Sequence, residues 1–158
     1  MISFKSVGIT SAELTAQQRA IEPTPIPIGI VTPLRLGTSD DGLLSMHYTV
    51  GDTMKNNLRD LIMTNWGERL ALYDYGANLG PLVTEYELGK EAFDDAAMQR
   101  IMNAVGKYMP YVELEGFDSS QTFYAQDPGL GVVAIVIDYS IPRAAVPTTR
   151  LQITFAVT

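Results

Sequence analysis

The sequence has no cysteine and one histidine, His47, in 158 residues. Without thiols there is no disulfide, no thiolate nucleophile and no cysteine-bound metal. A cysteine-free chain also fits a reducing compartment such as the cytoplasm. One imidazole leaves a zinc site short of ligands. It serves a serine triad no better, because no G-x-S-x-G turn accompanies it. Basic residues are few and scattered, 11 against 18 acidic, for a net charge of −7. That balance argues against a nucleic-acid partner, which selects clustered Lys and Arg. No apolar run approaches the ~20 residues that a membrane helix needs. The first residues lack a basic segment followed by an apolar core, so no signal peptide is expected. The sequence calls for no cofactor, no metal and no membrane partner.

What is present is ordinary globular composition, 46% hydrophobic and 18% charged, in a length suited to one core. Residues 1–32 differ from the rest. Pro23, Pro25, Pro27 and Pro33 forbid a helix there and favour an extended run. Ser11 to Ile21 has a weak helical pattern, capped by Ser11 or Thr15. We read 1–32 as an arm, laid on the domain or reaching a neighbour, and 33–158 as a single domain.

In "PLRLGTSDDGLLSMHY" (33–48), two short strands flank the turn residues Thr38 to Gly42. His47 falls on the polar side of the alternation. A helix follows, capped by Asp52 or Thr53, with Met54, Leu58, Leu61 and Ile62 on one face and Gly67 as its terminator. A second helix spans about Lys90 to Met109, with Phe93, Ala97, Ile101, Ala104, Val105 and Tyr108 as its apolar stripe. Glu91, Asp94 and Asp95 suit its positive end and Lys107 its negative end. Pro110 stops it.

Three strands complete the body: "YVELEGF" (111–117), "GVVAIVIDYSI" (131–141) and "TRLQITFAV" (149–157). The second is apolar on both faces, as in a central strand covered on both sides. The third alternates, with Leu151, Ile153, Phe155 and Val157 on one face. Pro142 and Pro147 bracket a connection short enough for an antiparallel pair. The fold class is α+β, a small antiparallel sheet packed by two main helices, with a proline-rich extended N-terminal arm.

The search for chemistry centres on "MTNWGERLALYDYGANLG" (63–80). A glycosidase needs only two carboxyl groups, one kept protonated by an apolar setting. Glu68 beside Trp66, with Asp74 nearby, fits that outline, but the adjacent Arg69 favours the ionised form. "DPGLG" (127–131) lacks the G-K-[ST] of a phosphate loop. Asp94-Asp95 diverge by about 100° on a helix and read as solvated carboxylates. Read structurally, Glu68-Arg69 fixes a corner: a guanidinium there binds backbone carbonyls or a carboxylate. Gly67 and Gly76 bracket a tight turn packed by Trp66, Tyr73 and Tyr75, and such an aromatic corner also suits an interface.

These residues carry a resemblance. "LRDLIMTNWGERLALYDYGANLGPLVTE", the helix ending in a proline and the two long closing strands are similar to the contractile-tail baseplate wedge family. That family spans the sheath-proximal wedge subunits of phage tails and their counterparts in type VI secretion baseplates. The likeness runs from about residue 26 to 158. Its most specific part is Thr64, then Gly67-Glu68-Arg69, then Asp74, Tyr75 and Gly76. Tyr73 stands where proline is usual in the family, and Tyr75 replaces phenylalanine. The family's Glu-Pro-Arg after the long helix reads Met109-Pro110-Tyr111 here, so only Pro110 carries over and Tyr111 takes the place of the arginine.

The resemblance implies a structural subunit, not an enzyme. Such a subunit sits in a sixfold virion baseplate, docked on the core-bundle wedge proteins, and is assembled in the host cytoplasm. It also implies a template for the tail sheath protein, which joins by adding strands. Thr64, Gly67, Glu68, Arg69, Asp74, Tyr75, Gly76, Pro110 and Tyr111 would form the docking corner. The closing strand, at Leu151, Gln152, Ile153, Thr154 and Phe155, would accept the sheath strand. The alternatives are a lysozyme-like glycosidase acting on peptidoglycan, as some members are labelled, and the equivalent subunit of a secretion system.

Overall fold

In the computed structural model, residues 25–38, 42–85, 91–123 and 131–157 are described. The arm's first 24 residues, with the Ser11–Ile21 helical pattern, lie outside them, as do most of the Thr38–Gly42 turn and of the 127–131 turn. The fold is α+β. Its elements are β1 (Gly29–Ile30), β2 (Met46–His47), α1 (Val50–Met63), α2 (Leu79–Glu85), α3 (Glu91–Tyr108), β3 (Glu113–Phe123), β4 (Gly131–Ile141) and β5 (Val146–Val157). A 3-10 turn over Pro142–Ala144 joins the last two strands.

β3, β4 and β5 form one antiparallel sheet in the order β3-β4-β5. β4 holds the centre because its Val and Ile residues suit a strand flanked on both edges. Val133, Ile135, Ile137 and Tyr139 point to the helices and are buried. The register sets Ile135 opposite Ile153 and Ile137 opposite Leu151, so the alternation of β5 delivers its apolar residues to the same face. Sequence reasoning expected β4 to be covered on both sides. Among the described residues it is sealed on one side only: Val132, Ala134 and Val136 remain partly exposed on the opposite face. A continuous Val/Ile run here reflects β propensity as much as burial.

The helices cover the inner face. Leu58, Leu61 and Ile62 of α1 and Phe93, Ala97 and Ile101 of α3 are essentially fully buried against the sheet. Each large side chain of this kind contributes about 1.5–3 kcal/mol. α1 starts earlier than the sequence implied. Its cap is Thr49, whose Oγ1 accepts from Asp52 N at 3.1 Å and donates to the Asp52 carboxylate at 2.5 Å, while Thr53 is buried. Thr49 precedes the first turn, so its oxygen can meet an orphan amide there, whereas Asp52 already lies inside the helix. The helix ends at Met63, where Thr64 turns extended. Gly67 does adopt the left-handed conformation, φ +86°, but it serves the turn after the helix.

α2 is not among the expected helices; it is seven residues long, too short to show an apolar period. Pro81 lies in the first turn, where no helical donor is lost, and Leu79, Leu82 and Val83 gain burial there. β3 runs past the alternation at 111–117 to Phe123, in a long hairpin with β4, and carries a register irregularity between Leu114 and Gly116. Of the expected strand pair over 33–48, a single bridge forms between Leu36 and Leu44. β2 pairs instead with β1. Residues 25–32 are therefore held along the body through Ile28 N to His47 O (2.8 Å) and Val31 N to Ser45 O (3.0 Å).

Candidate docking corner and strand-addition groove

The corner after α1 is a chain reversal closed by backbone bonds. Ala77 N reaches Leu61 O at 3.1 Å, Asn78 N reaches Thr64 O at 3.2 Å, and Gly67 N reaches Tyr73 O at 2.8 Å. Gly76 passes so close that a Cβ on it would lie 2.1 Å from Thr64 O, and its φ is +112°. Only glycine fits there. Trp66 covers the reversal by donating Nε1 to Gly76 O at 3.1 Å.

Glu68 and Arg69 divide the work differently from the sequence expectation. Glu68 holds the turn: its carboxylate accepts from Asn65 N at 2.8 Å and from Asn65 Nδ2 at 2.9 Å. These bonds hold its pKa below the ordinary value of 4.5, the Asn65 side chain acting most strongly. Glu68 is exposed and favoured as the anion, the opposite of a general acid's environment. Arg69 binds no backbone carbonyl among the described residues. Its guanidinium lies over the Tyr75 ring, 3.9 Å from the centroid, which holds the planar group by cation–π attraction and leaves its N–H donors outward.

Asp74 belongs to a separate clasp. Lys107 and Tyr108 from the end of α3 both reach it, Tyr108 Oη donating at 2.7 Å. The Lys107 bond first, and then the Tyr108 bond, keep Asp74 below the usual carboxylate range. Lys107 thus serves a neighbouring carboxylate as well as the helix end. Tyr75 packs on Tyr108, ring centroids 4.9 Å apart. Pro110 sits in a turn closed by Val112 N to Met109 O at 2.9 Å.

The structure brings Arg69, Tyr75 and Tyr111 together, with Asn57, Asp60 and Tyr108, around a recess of about 280 Å³. Thr64, Gly67, Glu68 and Gly76 build the turn behind it, and Asp74 and Pro110 tie down the end of α3. Tyr73 does not pack inward as expected: it is 72% exposed, alongside Leu70 at 93% and Trp66 at 56%.

The chain shares its fold with a crystal structure of a candidate tail lysozyme from Geobacter sulfurreducens, with a TM-score of 0.52 at 18% identity over 66% of this chain and 88% of that one. At this identity the likeness is one of fold. A chain of the anti-feeding prophage baseplate, solved by cryo-EM with sixfold symmetry, overlaps with a TM-score of 0.48 at 18% identity, over 80% of this chain and 82% of that one. No family model matches the sequence, and no curated protein does.

The second region is the outer edge of β5. Residues 150–154 and one stripe of α1 line a groove of about 630 Å³. β5 has no strand on its outer side among the described residues. Leu151 and Ile153 are buried and Phe155 is half-buried, while Gln152 and Thr154 are exposed. His47, read as a solvated strand residue, is half-buried at the groove wall. With the Asn56 amide turned so that its oxygen faces the donors, that oxygen accepts from Thr32 N at 2.7 Å and His47 Nε2 at 3.2 Å. Among the described residues no group of three His, Cys, Asp or Glu could hold a metal, and no helix is long and apolar enough to cross a membrane.

Sequence reasoning missed two residues that hold the corner. Asn65 is its hub, since Oδ1 also accepts from Gly80 N at 2.9 Å, the first turn of α2. Arg100, one helix away, donates to Asn78 O at 2.5 Å and faces Trp66 at 5.8 Å. The positive φ of Asn78, 52°, carries a weak signal in the sequence, since Asn tolerates the left-handed region better than most residues. The Arg100 contact carries none, because it crosses 22 residues.

Proposed function

We propose that this protein is a structural subunit of a contractile-tail baseplate wedge, which docks through the corner at residues 64–76 and 110–111 and templates sheath assembly by accepting a strand at β5. The observation that carries the reading is the outer edge of β5, open among the described residues and bordered by a groove. Unpaired amides and carbonyls along an edge are the standard site of strand addition. β5 has neither a lysine nor an inward charge to discourage pairing, and its one proline, Pro147, lies at its start. The corner supplies the other half. Its backbone is fixed while Trp66, Leu70, Leu72 and Tyr73 face outward, a rigid aromatic and aliphatic set that suits an interface.

The fold shared with a tail protein, and the sequence resemblance to sheath-proximal wedge subunits, support the same assignment. On this reading the chain is present in several copies in a sixfold baseplate, beside the core-bundle wedge proteins and the sheath protein. The glycosidase alternative is disfavoured by Glu68, which Asn65 holds in its ionised form at an exposed turn.

The test is co-expression with the neighbouring wedge and sheath genes, followed by size-exclusion chromatography. Gln152→Pro and Thr154→Pro each remove an amide from β5. Variants that keep their circular dichroism should still join the wedge but fail to seed sheath. Normal sheath assembly on a folded variant rules out β5 as the acceptor. The purified protein should release no sugar from peptidoglycan, and turnover abolished by Glu68→Gln would reverse the class.

A further inference from the structure

The groove beside β5 has a charge of its own, opposite in sign to the chain's net −7. The α1 stripe that lines it includes Asp52, Lys55, Arg59 and Met63, and β5 contributes Arg150 at one end. Three of these side chains are cationic and one is acidic. Asp52 is occupied by the Thr49 cap, and Arg150 forks onto Asp138 at 2.8 and 3.0 Å. Arg59 spends one donor on Thr32 O at 3.1 Å, which leaves the rest of its planar group unused among the described residues. Lys55 is exposed and has no ion-pair partner there.

Lys55 and Arg59 are also set at a telling interval. Lys55 and Arg59 are four residues apart on one helix face, a rise of about 6 Å. Alternate residues of an extended strand project to the same side about 6.6–6.8 Å apart. A strand laid along β5 therefore presents every second side chain to α1 at nearly the interval of these two cations.

We infer that the segment added at β5 is acidic, with carboxylates at two alternate positions that meet Lys55 and Arg59. This rests on the strand-addition reading above and specifies its partner: an extended, acid-bearing segment of the sheath protein. Two other occupants are separated from it by the test. Residues 1–24 of this chain carry Lys5 and Arg19 against Glu13 and Glu22, a balanced set. A second copy's β5 would bring only another arginine; its β3 would bring Glu113, Glu115 and Asp118, but Glu115 is already engaged by Thr148 Oγ1 at 2.8 Å within its own sheet.

The probe is the sheath protein of the same gene cluster, captured by the tagged full chain at 20, 100 and 300 mM salt. Screening shortens from roughly 20 Å to under 10 Å across that range. Wild-type capture should fall with salt. The Lys55→Glu/Arg59→Gln variant should capture about tenfold less at 20 mM, with the salt dependence flattened or inverted. Gln152→Pro should lose capture at every salt concentration. Salt-independent wild-type capture, or an unchanged charge variant, overturns the acidic partner while leaving strand addition standing if Gln152→Pro still fails. Full capture by a folded Gln152→Pro variant sinks strand addition itself. Because Arg59 also holds Thr32, the salt series on the wild type decides the matter if the variant unfolds. Salt-sensitive self-association of the free protein, lost in the Lys55→Glu/Arg59→Gln variant, assigns the groove to a second copy's β3 and overturns the inference. Loss of capture competition on deleting residues 1–24 would assign it to the arm.

Discussion

Replacing Gly76 by alanine tests whether the corner is as tightly closed as its geometry implies. The residue's φ of +112° lies outside every region open to an L-residue, a cost of about 1–3 kcal/mol. The new Cβ would also sit 2.1 Å from Thr64 O, so the two passing strands of the turn must separate. Thr64 O accepts from Asn78 N at 3.2 Å and Gly76 O accepts from Trp66 Nε1 at 3.1 Å; weakening both adds about 1 kcal/mol each. The sum is about 3–5 kcal/mol. Urea unfolding should show a midpoint lowered by at least about 1 M with an unchanged slope. Two other glycines calibrate the result. Gly67 has φ +86° with nothing near its would-be Cβ, so Gly67→Ala should cost only about 1–2 kcal/mol. Gly106 lies in α3 with open space around it and no positive φ, so Gly106→Ala should stabilise by about 0.4–1 kcal/mol. If the Gly76 and Gly67 variants lose the same stability, the close approach to Thr64 is not what requires glycine at 76.

Arg100→Ala should cost about 1–3 kcal/mol by leaving the partly buried Asn78 carbonyl unpaired; a thermal shift like that of an exposed-surface control would refute its place in the corner. Arg69→Ala should cost only about 0.5–1 kcal/mol in stability, as an exposed cation–π pair does, yet should weaken wedge capture, and full capture would remove it from the docking surface. Glu68 has a folded pKa below its unfolded one, so its contribution is fully present above the unfolded pKa and fades as pH falls through the folded value. Solvent exposure limits that contribution to under about 1 kcal/mol. The wild type should therefore lose slightly more stability than Glu68→Gln between pH 6 and pH 3, and parallel losses would show that the Asn65 bonds do not favour the anion.

Much of this was legible in the residues. The apolar spacing of Leu58, Leu61 and Ile62 and of Phe93, Ala97 and Ile101 placed both long helices, because a helix must aim one stripe at the core. The period-two pattern of Leu151, Ile153 and Phe155 placed the inner face of β5 for the corresponding reason. The glycines of the corner were readable too, since a turn between helices with two of them points to left-handed backbone. The errors have local causes. The Thr49 cap was passed over for Asp52, which is its partner in the same reciprocal pair. α2 spans only seven residues, too few for a helical period to stand out.

By itself, then, the sequence determined the class of fold, its long elements and the faces they bury, all of which follow from short-range periodicity and backbone chemistry. It also excluded thiol, zinc and triad chemistry by composition. Only the tertiary structure decided which partner each polar group takes. It gave Glu68 to Asn65, stacked Arg69 on Tyr75, and drew Arg100 across to Asn78. Among the described residues it also left β5 at an edge and set Lys55 and Arg59 of α1 beside it. Such pairings depend on where distant segments come to rest after the core has closed, and no local pattern in the chain records that.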